Sequence, residues 1–562
     1  MLRYDTTSTL KQAKAALSIT AQNEYVEVAP ASLALIEAIK QLKKVKKEYD
    51  SYKHTRDDLK DKLHELKQAY KSKTPGIDGS DIEDLSDILE NVNDEERYYK
   101  ANIALAMANV EAKSLALIAQ VAAAAKAASN WYTFGFSVGV AASVNGHKSK
   151  SNSNEVISNP SNLSANNIKI QTPNDTTITG SNLSANNLID INTNNLNINS
   201  SKNTYTSESK DKSIGGTMRY TMYGGGGGSA GLNYSTSSSD TESLTNNNSH
   251  LYSAKDMNIN TANDATIKGA NLRADERLNL KVGNNLSLES VRDKYAYNER
   301  GYSVGVGIGF SSDKSPNSSF ANPSSTKATS TNANFSRSSS NTITKQTVLS
   351  SITANELNVE VGKNTHLKGS LLAAGEYDKD NTFIDNHNLN LKTNTLSYEN
   401  LSNTSYNKGS SLSIGANYSV GKKDQANQNS QDKSTSYSGL KSINYSNHRN
   451  LSYTLSKNLA TLGSGNIEIA DKDNSDDLTR LNRDTTKLTK DLVNTSISSN
   501  VDGSMDLRVL TKSGQKDIAK EIVDANYGLK KLSEKMPDEN SNNKMVSLVG
   551  KLLVYGSMIV LD

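Results

Sequence analysis

The sequence predicts a mainly β protein: a parallel β-helix, or solenoid, preceded by an antiparallel α-helical hairpin that pairs as a coiled coil. Three observations predict it. Ala165, Ala254 and Ala354 are each followed by apolar residues at offsets of 3, 5, 13 and 18 and by glycine at 15. Between the apolar positions run short apolar/polar alternations, such as Leu278 and Leu280 or Leu286 and Leu288, which is the period of a half-buried strand. Residues 31–129 instead keep a spacing of 3–4 and share nothing with the repeat. A second alanine at offset 20 (Ala185, Ala274, Ala374) gives the unit a period near one coil. Stacked coils bury their apolar faces only against their neighbours.

The repeat names its own core. Ile168, Ile170, Ile178 and Leu183 in the first copy match Met257, Ile259, Ile267 and Leu272 in the second, and Leu357, Val359, Leu367 and Leu372 in the third. Gly180, Gly269 and Gly369 fall where a coil must turn, and glycine accepts the positive φ that such a turn asks for. At about 4.8 Å per coil, roughly fifteen to twenty coils are expected to form a rod of about 70–100 Å.

Composition fits a thin core. Only 35% of the 562 residues are hydrophobic, so without this periodicity the chain would read as disordered. With 63 basic and 60 acidic residues the net charge is +3, which gives no argument for a nucleic-acid partner. There is no cysteine, so stacking rather than disulfide bonds must hold the fold.

In chain order, residues 1–30 read as an upstream remnant. They have no apolar stretch of a signal peptide, and the sequence is expected to be an internal piece of a longer chain. Residues 31–129 read as a helical hairpin insertion. Leu35, Ala38, Leu42, Val45, Tyr49, Tyr52, Leu59, Leu63, Leu66 and Tyr70 form one seam, broken by Arg56. The first helix is expected to stop at Thr74-Pro75-Gly76 and the second to start from a capping box at Ser80–Glu83, running unbroken to Ser129 and projecting from the β-array. Lys126 and the excess of alanine argue against a membrane span at 115–129.

Residues 130–470 read as the β-solenoid, in which coil blocks alternate with glycine-rich paired strands at 131–146, 213–235, 301–312 and 411–421. The Ser/Asn-rich stretch 312–342 reads as an exposed loop. Residues 471–562 read as a transition segment and the start of a partly helical C-terminal region.

The units at 165–200, 254–290 and 354–398, the segment Asp378–Asn381 followed by Asp385, and the closing pair Thr461–Ile467 and Leu481–Asp484 occur in a characteristic order. In that order the chain resembles the haemagglutinin-repeat region of filamentous-haemagglutinin-like exoproteins. These are two-partner-secreted adhesins and contact-dependent growth-inhibition toxins built on a similar stalk. The resemblance implies a secreted, surface-exposed rod mediating attachment, or the stalk of such a toxin. It also implies an outer-membrane transporter for the whole protein and receptors on host cells or neighbouring bacteria. The family's N-terminal signal and secretion domain are not represented in this sequence.

Catalysis and cofactors are not expected. Gly135–Gly139 and Gly301–Gly305 both match G-x-S-x-G, but a nucleophile elbow needs a strand, a sharp turn and a helix, whereas alternation continues on both sides here. The glycine run Gly224–Gly228 lacks the lysine of a phosphate loop. The seven histidines lack metal-ligand spacing. Asp471–Asp477 lacks the glycine and final glutamate of a calcium loop. The rival of a polysaccharide-cleaving β-helix is set aside because no carboxylate cluster recurs on one face.

Overall fold

A computed structural model describes residues 2–23, 28–128, 136–223, 226–312, 321–379, 382–421 and 437–533. The fold is mainly β and holds two sheets, one parallel and one antiparallel.

The parallel sheet stacks the repeat. Ile168, Ile189, Met257, Leu278, Leu357 and Leu389 stand in register across successive strands, as do Ile170, Ile191, Ile259, Leu280, Val359, Leu391 and Ile467. A further column runs through Ile178, Ile198, Ile267, Leu288 and Leu367, and another through Leu183, Leu251, Leu272, Ile352, Leu372 and Leu462. These side chains make one core cluster, with Ile170 and Ile467 partly buried at its margin. Gly180, Gly269 and Gly369 take φ of +52°, +71° and +51°. At Gly269 an added Cβ would lie 2.6 Å from the Cβ of Ser200, so the turn excludes a side chain as well as requiring the angle. Asn482 closes the end of the stack, donating to Thr461 Oγ1 at 2.8 Å while Leu481 enters the core.

The stack is shorter than a rod of 70–100 Å. From Ile168 to Gly465 the register counts only a few strand spacings, about 29 Å. The remaining residues go into the antiparallel sheet. Its strands are β1 (Leu2–Asn23), β2 (Phe136–Ile157), β3 (Ser201–Tyr223), β4 (Gly227–Asn247), β5 (Val291–Ser311), β6 (Lys327–Val348), β7 (Leu401–Ser419), β8 (Gly439–Asn458) and β9 (Thr489–Asp506). They lie side by side in chain order. The strands run from 18 to 23 residues, long for a globular protein.

Two strands of this sheet differ from expectation. Residues 2–23 are a strand paired along its length with β2. Of the stretch 312–342 read as loop, residues 327–342 lie in β6, and most of these are paired on both sides. Polar Ser, Thr and Asn suffice there because the ladder satisfies the backbone and the strand need bury neither face.

The helical part holds α1 (Val28–Lys71), α2 (Gly79–Asp94) and α3 (Glu96–Ala128), with α4 (Lys512–Ser533) beyond β9. The second expected helix is thus two, parted at Glu95. Its cap is Asp78, not Ser80: Asp78 accepts from Ser80 N, and Asp81 takes the Asp78 N–H at 2.8 Å. Nor does the helical part project freely. Tyr52, Leu59, Leu66 and Tyr99 pack with Leu451, Leu455, Val493 and Ile497 of β8 and β9, and Leu35 and Ala38 pack with Val110, Leu117 and Ile518 of α3 and α4. By length and composition Gly79–Val121 passes as a membrane span, but half of its most apolar window is buried inside the protein, as in a core helix.

Candidate interaction surface

Because side chains alternate along a strand, the antiparallel sheet has two faces of different chemistry. One is polar. Ser213, Ser235, Ser303, Ser336, Ser413 and Ser446 stand in a single cross-strand row. Within it Ser213 and Ser235 share a hydrogen bond of 2.7 Å, and Ser303 and Ser336 one of 2.6 Å. The next row alternates Asn145, Gly215, Asn233, Gly305, Asn334, Gly415 and Asn444. The asparagine amides lie over the glycines: a Cβ at Gly215 would meet Asn233 Oδ1 at 2.5 Å and Asn145 Oδ1 at 2.6 Å.

These rows account for the second G-x-S-x-G. Gly301, Ser303 and Gly305 face the polar side at successive positions of a continuous strand, and Tyr302 and Val304 face the other. The row's nearest histidine, His147 on β2, is three strands from Ser303, about 14 Å. The first match begins at Gly135, outside the described residues.

The opposite face is apolar toward the hairpin tips. One row reads Ile214, Tyr234, Val304, Phe335, Ile414 and Tyr445. The next includes Val144, Gly216, Leu232, Val306, Ala333, Ala416 and Ile443. Val144, Gly216, Met218, Leu232, Val306 and Ile308 line a shallow depression. Two to four residues nearer the strand bases the same face turns basic, with Lys148, Lys150, Lys210, Lys212, Arg300 and Arg337, before Glu208 and Asp240 follow in the next row.

On β8 and β9 this face is covered. Val45 of α1 and Ala106 of α3 close over Tyr445 and Val501, and the Tyr445 hydroxyl donates to the Leu105 carbonyl. Tyr99 donates to Ser498 O at 2.9 Å, and Asn102 donates to Ser499 Oγ at 2.6 Å. Glu95 accepts from Nε and Nη2 of Arg449 at 2.7 and 2.9 Å, with Lys408 3.5 Å away. Burial raises the Glu95 carboxyl, but the two cations outweigh it and hold it below its ordinary value. Lys457, 1% exposed, reaches Asp78 at 2.8 Å and Asp81 at 2.7 Å. Burial likewise raises Asp78, and Lys457 and Ser80 bring it below its ordinary value. Asp81, fully buried, stays above its ordinary value because burial exceeds what Lys457 returns. Arg508 anchors the start of α4 by ion pairs to Asp506, Asp517 and Glu521.

The acidic run near 471 is engaged internally. Asp471 accepts from Asn474, Asp476 from the Tyr398 N–H at 2.8 Å, and Asp477 from Thr479 and Lys73. The Thr479 hydroxyl, then Lys73, pull the Asp477 carboxyl down to about 2. Among the described residues no three acidic or histidine side chains converge as a metal site. The covered apolar face was not visible in the sequence, since its residues become neighbours only through strand pairing.

The hemagglutinin repeat family matches residues 108–214 and 190–306. A stretch of 297 residues is 26% identical to Toxin CdiA of Escherichia coli, covering 49% of this chain and 9% of the relative. The chain therefore spans about a tenth of the length of that relative. No solved structure matches the chain. Residues 108–306 thus carry the haemagglutinin repeats of the filamentous-haemagglutinin-like kind that the motif order implies. The third unit, at 354–398, lies beyond the family match and joins the first two through strand register.

Proposed function

We propose that this chain is part of the stalk of a secreted, two-partner-type bacterial surface protein, and that it acts by display and adhesion, not catalysis. In this reading the parallel sheet is one flank of a β-solenoid whose coils follow the columns Ile168–Leu389 and Ile178–Leu367. Hairpins β3–β4, β5–β6 and β7–β8 leave the stack and present extended surfaces to receptors on host or neighbouring bacterial cells. The carrying observation is that the core columns stay aligned through three sequence-separated copies, across a bulge in each long pairing, with a long hairpin after each pair of coils. Adhesion through such a surface would sum many weak contacts. Helices α1 and α3 pack on each other through Leu35, Ala38, Val110 and Leu117 and lie on the sheet.

The match to a protein named as a toxin favours a second reading, in which the same stalk carries a toxic domain. Beads coated with the purified chain should adhere to epithelial or bacterial cells if the stalk is itself adhesive. If coated and bare beads adhere equally, the adhesive reading fails and the carrier reading stands. A small immunity gene directly downstream in the genome would support the carrier.

A further inference from the structure

The face that α1–α3 cover on β8, β9 and the base of β7, where Lys408 reaches Glu95 and Tyr406 packs, is left uncovered by the described residues across β1–β6 and the tip of β7. We propose that this uncovered face docks an acidic amphipathic helical segment of a partner protein, extending the helical layer already present. The covered part defines the recognition chemistry. On β8, Tyr445 meets Val45 and Ala106, and four residues along the strand Arg449 takes Glu95. Four residues of strand span about 14 Å. The roughly ten residues from Glu95 to Ala106 span about 16 Å of helix, so the helix runs along the strand.

Both rows cross the sheet. The Tyr445 row includes Val304 on β5 and Ile214 on β3, and the Arg449 row includes Arg300 on β5 and Lys210 on β3. Apolar and basic residues therefore recur four apart, in the same order, on β3, β5 and β8. Lys150 of β2 extends the basic row, and Lys148, Lys212 and Arg337 stand in the row beside it. Lys210 is paired with Glu208 in the next row, whereas Lys148, Lys150, Lys212, Arg300 and Arg337 make no ion pair among the described residues. The apolar ground is open: Leu232 is 63% exposed, Ile214 62%, Val306 59% and Met218 56%. Six uncovered strands are about 29 Å wide, which seats about three helices at 8–10 Å each.

A second copy of the chain fits this face poorly. With strand order reversed the two basic bands face each other; with order kept, the two helical layers on β8 and β9 collide. An acidic helix satisfies both bands, as Glu95 and Ala106 already do on β8.

The test uses the full chain and a fluorescent peptide of residues 92–121, which carries Glu95, Glu96 and the apolar stretch of α3. Saturable binding is expected, weakened at least tenfold by Leu232→Lys or Arg300→Glu and by Glu95→Lys with Glu96→Lys in the peptide. Ser303→Ala, on the polar face, should leave it unchanged. Leu232 is exposed, so circular dichroism melts of that variant should match the parent and exclude misfolding. No binding, or binding indifferent to Leu232→Lys and Arg300→Glu, overturns the proposal. So do three rival occupants. A dimer in sedimentation that Leu232→Lys abolishes would identify a second copy. Recruitment to phosphatidylglycerol vesicles without peptide binding would identify a lipid surface. Peptide binding seen only after deletion of 534–562 would identify the chain's own tail.

Discussion

Replacing Glu95 by alanine tests whether charge, as well as apolar packing, holds the helical layer to the sheet. The Glu95 side chain is 7% exposed and that of Arg449 16% exposed. The Arg449 guanidinium also lies 3.6 Å from the centre of the Tyr98 ring. Removing the carboxylate leaves this cation half-wrapped and without its bidentate partner. Breaking a buried pair costs about 3–5 kcal/mol, and the remaining exposure of Arg449 places this case near 3. At about 1.4 kcal/mol per tenfold, local opening becomes about a hundredfold more frequent.

Amide hydrogen exchange reads this directly. Exchange in residues 96–121 should accelerate about a hundredfold in Glu95→Ala, while amides of 256–289, in the separate parallel core, keep their rates. Glu95→Leu with Arg449→Met removes both charges and keeps apolar contact, so exchange should stay within about tenfold of the parent. An acceleration of less than about threefold in Glu95→Ala would refute the reasoning. So would a double variant as damaged as the sum of the two single changes, because the two residues would then not be coupled.

Three further outcomes are expected. Ile267, fully buried between Ile198 and Leu288, should cost about 2–5 kcal/mol as alanine; limited proteolysis should then cut near 260–290 while the helical layer stays intact, and global collapse would count against a stacked core. In acid, Glu95 and Asp78 lose a contribution that is whole above the ordinary carboxylate range and vanishes as pH falls through their lowered values, whereas protonation of the raised Asp81 partly offsets this. Tyrosine near-UV circular dichroism, reporting the stacked Tyr52 and Tyr99, should therefore weaken below about pH 4; a spectrum constant to about pH 2.5 would contradict it. Ser303→Ala forfeits one hydrogen bond to Ser336, about 1 kcal/mol, and should abolish no hydrolysis; loss of a measurable esterase activity would make Ser303 a nucleophile.

The columns of the parallel sheet were legible because a core side chain there must recur at fixed offsets to meet its neighbours above and below. Met257 and Leu357 share one column, and their matching place after Ala254 and Ala354 is what stacking demands. The antiparallel sheet was legible only at its tips. At 301–312 glycine alternates with Tyr302, Val304, Val306 and Ile308, a strand period by inspection. Nearer the base, Ser207–Lys212 and Ser336–Thr342 bury neither face, so no hydrophobic period marks them. Only their pairing with neighbours does so, through the backbone ladder and contacts such as Ser339 with Ser410 at 2.9 Å. The helical seam was read from Leu35, Val45, Tyr52 and Leu66, all buried. Its partner was not, because Leu451, Val493 and Ile497 lie hundreds of residues away.

The unequal spacing of the copies has a structural cause. From Ala165 to Ala254 is 89 residues and from Ala254 to Ala354 is 100, yet each interval advances the stack by the same two strands. In each interval one step along the parallel sheet is made by a direct connection, and the other is lengthened by a hairpin whose ends return to adjacent levels: β3–β4 between Asn199 and Ser249, and β5–β6 between Glu289 and Ser351. Stack height therefore depends on the parallel strands alone, and hairpin length is free to vary at the tip, where the connection from Ser311 to Lys327 is longer than that from Tyr223 to Gly227. On the proposed function, such a fold would separate the part that fixes register from the part that meets other molecules. A substitution in a column such as Ile267 is felt by the coils above and below, whereas one on the hairpin face such as Leu232 alters only what that face can bind.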